Sequence, residues 1–258
     1  MRKLILIPLL IIGVKVFAQE IKLLDFKPEI YRYDLSGLLI PKQIPESYKE
    51  FTIKPGEPIG FFGNNYQRIH IKFLSVKKKV IDSRAYSVTG KSMLKENICP
   101  FSGEMRIIDA KIYLESDIPE FKQGYVVFEY EFQEDVTHGG TGVFKGKATS
   151  HFFIDNKDEI YYDAIHLAAD GYSNNEFEGV WISNKSGKKY KCNWGEFRIP
   201  DSEDLDIGDG GFKVAKKFLD RGWRTYEYSK GYGYASEASE EEIKNAKLIE
   251  QKEWWKEE

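Results

Sequence analysis

The chain is poor in soft metal ligands. Its 258 residues hold two cysteines, three methionines and four histidines. Two cysteines are too few for a disulfide-rich scaffold or a four-cysteine zinc site. Cys99 and Cys192 leave two readings open, a single disulfide or a pair of buried thiols. The histidines show no H-E-x-x-H spacing, so no metal centre is expected. No P-loop, dinucleotide fingerprint or G-x-S-x-G appears, and no cofactor is expected. Basic clusters are equally scarce. Lys77-Lys-Lys79 is the densest, in a chain of net charge −3, which argues against nucleic acid and anionic lipid as partners. After the first 14 residues no apolar run reaches membrane-spanning length.

The N-terminus is the exception. Met1-Arg-Lys3 precedes an apolar run over 4–14, and Val16-Phe-Ala18 offers small residues where a signal peptidase cuts. The pattern predicts a signal peptide over 1–18, a mature chain from Gln19, and a secreted or periplasmic protein. Removing Arg2, Lys3 and Lys15 leaves 35 basic residues against 41 acidic ones, a net charge of −6.

What the chain does have is aromatic residues, at 15%, and short alternating segments. In 125–136, Val126, Phe128, Tyr130 and Phe132 share one face while Val127, Glu129, Glu131 and Gln133 share the other. Similar runs cover 66–76, 84–95, 105–114, 143–154, 159–168, 177–183 and 188–199. Turn residues separate them, and no linker divides them. The reading is all-β: a single antiparallel meander forming a β-barrel or β-sandwich. The β domain is set at 19–234 and a C-terminal surface helix at 235–258. Ser239 and Glu242 form that helix's capping box, and its far end is expected to be weakly held.

The hairpin around 184–187 fixes a register. Trp181 faces Tyr190, Gly179 faces Cys192 and Phe177 faces Trp194, all on one side of the sheet. Glu178, Val180 and Ile182 face Asn193, Lys191 and Lys189 on the other side, read as solvent. Gly195 is expected to bulge, because Phe197 would otherwise point outward. Phe177, Trp181, Tyr190 and Trp194 are therefore the candidate ligand-binding residues, for a small apolar ligand or a glycan. The alternative is a plain core layer. Phe101-Ser-Gly103, Phe144-Lys-Gly146 and Phe177-Glu-Gly179 repeat one pattern, read as strand bending under a covering ring. Asp201, Glu203, Asp204, Asp206 and Asp209 crowd one loop without the spacing of a calcium-binding hand, and read as a solvated loop.

Two resemblances follow. The meander resembles lipocalin-like barrels, although Gly179-Val-Trp181 falls late in the chain where their G-x-W motif falls early. Glu129-Tyr-Glu-Phe-Gln-Glu134 resembles the E-x-D-x-x-E strand signature of laminarinase-type glycoside hydrolases, with Glu131 in place of Asp. That resemblance implies Glu129 as nucleophile and Glu134 as acid/base. The expectations are ordered accordingly: an exported non-catalytic binding protein, then a glycosidase, then a protein-binding inhibitor or immunity-type protein.

Overall fold

Period-two alternation through 126–134 puts five consecutive inward side chains, from Val126 to Glu134, on one side of a single strand, and the rest of the fold is built around that face. The computed structural model describes residues 22–42, 44–45, 52–53 and 56–256; the expected signal peptide lies outside the described residues. The first strands are β1 (Leu23–Asp25), β2 (Ile44–Pro45), β3 (Thr52–Ile53), β4 (Ile59–Phe62), β5 (Gln67–Lys78) and β6 (Ala85–Leu94). They are followed by β7 (Asn97–Tyr113), β8 (Lys122–Glu134), β9 (Gly142–Ile154), β10 (Ile160–Tyr162), β11 (Asn174–Ser183) and β12 (Lys189–Glu196).

Each strand from β4 to β9 pairs antiparallel with the next; β9 pairs β11, β11 pairs β12, and β12 returns to β4. The pairing thus closes into a ring of eight strands, with β1 and β10 as short side strands on β7 and β9. The ring is uneven. β4 has four residues beside the twelve of β5, so one stretch of the wall is cut short. β10 is also shorter than 159–168, because the Asp163 side chain accepts from Ile165 N–H and turns the chain.

Aromatic rings fill the interior. Phe73, Phe101, Tyr130, Phe132, Phe144, Phe177 and Trp194 touch in a continuous network, with ring centroids 4.7–6.1 Å apart. Gly146 and Gly179 pair directly beneath the Tyr130 hydroxyl. A Cβ at either would stand within 2.8 Å of that oxygen and within 2.2 Å of a neighbouring carbonyl. Only glycine fits there. Two short helices, α1 (Lys27–Ile30) and α2 (Ser36–Leu39), bury Ile30, Leu35 and Leu38 against one end of this core.

A second core lies outside the ring. Ile59 and Phe61, on the outward face of β4, are buried with Tyr66, Ile199, Leu205, Phe212, Val214, Leu219 and Trp223. The chain after Ile199 supplies most of this layer through 3₁₀ turns, α3 (Arg224–Ser229) and α4 (Glu240–Glu250). It also covers part of the hairpin face expected to meet solvent: Asn193 is buried and donates to Pro200 O at 3.0 Å. The Ser239–Glu242 capping box is present. The end beyond α4 is firmly held rather than loose, since Trp254 is buried and its indole N–H donates to Glu57 at 3.0 Å.

Candidate functional site

The hairpin register places Phe177 opposite Trp194 and Trp181 opposite Tyr190, all inward, as the spacing predicts. The extra residue, however, falls in β11 between Asn174 and Phe177 and not at Gly195. Asn175 takes φ +46°, a left-handed conformation that asparagine tolerates better than most residues. Phe197 solves its own problem with φ +67° and turns partly to solvent.

The four candidate aromatics divide between two ends. Trp181 and Tyr190 meet Phe62, with ring centroids 5.3 and 5.1 Å away. Trp181 donates its indole N–H to Glu134 at 2.8 Å, and Gly142 N donates to the same oxygen at 2.8 Å. Ser92 Oγ donates to the other oxygen. Burial pushes the Glu134 carboxyl up, against these three donors. Glu134 is a satisfied interior acid. Glu129, five residues earlier, is on the exposed outer face. The two carboxylates implied by the glycosidase resemblance therefore stand on opposite sides of one strand and cannot flank a common bond.

Cys99 and Cys192 are both buried free thiols, which corrects the disulfide candidate. Their strands, β7 and β12, lie four places apart in the eight-strand ring, on opposite sides. A disulfide needs Cα atoms within about 7 Å, whereas facing sheet layers stand about 10 Å apart. Burial raises both thiol pKa values, that of Cys99 to about 11.

Phe177 and Trp194 lie at the other end, four residues along β12 from Tyr190, about 13 Å away. Here the shortness of β4 matters. β4 pairs β5 only as far as Ile69 and β12 only as far as Gly195, so among the described residues Ile71–Phe73 and Glu196 face each other with no strand between. The result is a slot in the ring wall, roofed by Leu39, Ile40, Pro41, Gly56 and Pro58. It encloses about 70 Å³, with Phe73, Phe177, Trp194, Asn175 and Glu196 on its inner side. Phe177 and Trp194 stack at 4.7 Å and 12°, and Phe73 meets Phe177 edge-on at 5.5 Å.

Glu196 is the polar end of this slot. It is 8% exposed, and its Oε2 accepts from Tyr162 Oη at 2.6 Å. Desolvation pushes its carboxyl up to about 7; the hydrogen bonds from Tyr162 and Asn175, and the more distant Lys72 charge, act the other way. Asn175 is itself fixed, accepting from Ser150 Oγ at 2.6 Å and donating to Leu38 O at 2.8 Å. Glu196 was absent from the sequence-derived site. Its parity was the available signal, because it falls two residues after Trp194 on an inward position where an acid is unusual.

Among the described residues no group of three or more His, Cys, Asp or Glu could hold a metal ion. The acidic loop after β12 is tied down by basic side chains, with Arg198 on Asp206 at 2.6 Å and Lys217 on Asp204 at 2.6 Å. Comparison with protein-family models, with curated proteins and with solved structures finds no match to this chain.

Proposed function

We propose that this is an exported, non-catalytic binding protein that takes the end group of a small amphipathic ligand into the slot between β5 and β12. One observation carries the reading: a buried carboxyl, Glu196, lies in an opening lined mainly by apolar side chains, Phe73, Phe177 and Trp194 among them, with Asn175 and Lys72 as its other polar neighbours. A perturbed acid at the bottom of an apolar recess is a common mark of a functional site. The volume favours an end group over a whole glycan ring, since drug-sized sites enclose about 300–1,000 Å³. Export rests on the N-terminal pattern alone.

The filled interior favours a second reading, a protein-binding inhibitor or immunity-type protein that needs no cavity. Its contact surface would be the C-terminal layer or the acidic loop. One experiment separates the two. Titrating the labelled protein with small alcohols and amines, followed by amide and indole NMR shifts, is expected to move Phe177, Trp194 and Glu196 while leaving Trp181 and Tyr190 in place. No shift at the slot with any of these compounds would remove the first reading.

A further inference from the structure

We infer that the end group the slot selects is a primary ammonium on a short alkyl arm, an inference that rests on the slot being a ligand site. The argument is one of charge. No cation among the described residues forms an ion pair with Glu196 within 4 Å. Lys72, which borders the slot, holds its ammonium 4.5 Å from the Trp255 ring centroid, on the outside of the ring. The other titratable groups facing Glu196 are Tyr162 and Tyr172, and burial raises both pKa values, keeping them neutral donors. An ionised Glu196 is thus a buried anion that no described cation pairs directly, with Lys72 acting only at a distance, and such an anion is costly unless a cation joins it.

The walls suit that cation. Phe177 and Trp194, stacked on each other and buried, form an apolar back wall, and the half-buried Phe73 is the ring that a positive charge within about 6 Å of its centroid would meet. A metal ion fits poorly, since a single carboxylate among rings supplies far fewer than the six or more oxygens calcium takes. Size points the same way. A volume of about 70 Å³ has room for an ammonium and its first methylene. No covalent bond forms between protein and ligand; the event is ion pairing, and where Glu196 is protonated its O–H proton passes to solvent as the ammonium enters.

The test compares n-butylammonium, n-butanol and n-butyrate by NMR titration at pH 8 and pH 5.5, with Nα-acetyl-lysine amide as a further arm. n-Butylammonium is expected to bind at least tenfold tighter than n-butanol at pH 8, and n-butyrate not at all. With the carboxyl titrating near 7, affinity for the ammonium is expected to fall about thirtyfold at pH 5.5, because the amine stays charged while Glu196 protonates. Glu196→Gln is expected to erase the preference; should that variant not fold, the wild-type pH comparison still decides. Binding by the lysine amide would extend the source from free amines to protein side chains. Equal binding of butanol and butylammonium at the slot would overturn the ammonium inference and leave the slot standing. A slot silent to all four probes would overturn both.

Discussion

Trp181 shows how a single side chain can look like a binding residue and be a structural one. It lies inward beside Gly142, whose absent side chain leaves room for the indole: a Cβ there would stand 2.3 Å from it. Its N–H helps satisfy the buried Glu134. Truncating a buried tryptophan costs about 3–5 kcal/mol, and here one donor to an interior acid is lost as well. Trp181→Ala is expected to lower unfolding free energy by at least that much in denaturant titration. Slot binding in the folded fraction should be unchanged. A variant of near wild-type stability would return Trp181 to the list of ligand residues. Its inward position was legible from hairpin parity. Its bond to Glu134 was not, because that contact joins residues 47 positions apart in sequence.

At the scale of elements, the β11–β12 pairing could be read in advance because a four-residue loop sets one register and period two does the rest. The bulge at Asn175 could not, because it depends on how β11 must bend to pair β9 and β12 together. The layer formed by α3 and α4 was hidden for a similar reason: Phe61 and Trp223 become neighbours only when the fold is complete. Arg68 clamps that layer. It forms a bidentate pair with Glu250 at 2.7 and 2.7 Å, and its guanidinium lies 5.5 and 5.2 Å from the Trp223 and Tyr226 rings. Removing one partner of a buried pair costs about 3–5 kcal/mol. Glu250→Ala is therefore expected to expose α4 to hydrogen exchange while the ring amides stay protected. Uniform loss of protection across ring and helix would contradict a separately held layer.

Among the described residues eight strands close into a ring of pairings, the short β4 leaves a slot in it, and Glu196 reports on that arrangement. In the unfolded chain its carboxyl titrates near 4.5; in the fold burial moves it to about 7. The native state therefore keeps a proton that the unfolded chain releases. Stability is present in full below about pH 4.5 and is lost as pH rises through about 7, by roughly 3 kcal/mol in total. The difference between wild type and Glu196→Gln isolates this loss from Glu134, whose carboxyl burial also raises. Alternating inward aromatics made the ring legible in the sequence, while the slot depends on the lengths of three strands relative to one another. The most direct test is the Glu196 side-chain carboxyl carbon, followed by NMR from pH 4 to pH 9 on the intact protein. A midpoint near 7, falling when n-butylammonium is added, is the expected result. A midpoint in the ordinary glutamate range, near 4.5, would mean that Glu196 meets water and that the slot does not bury it as described above.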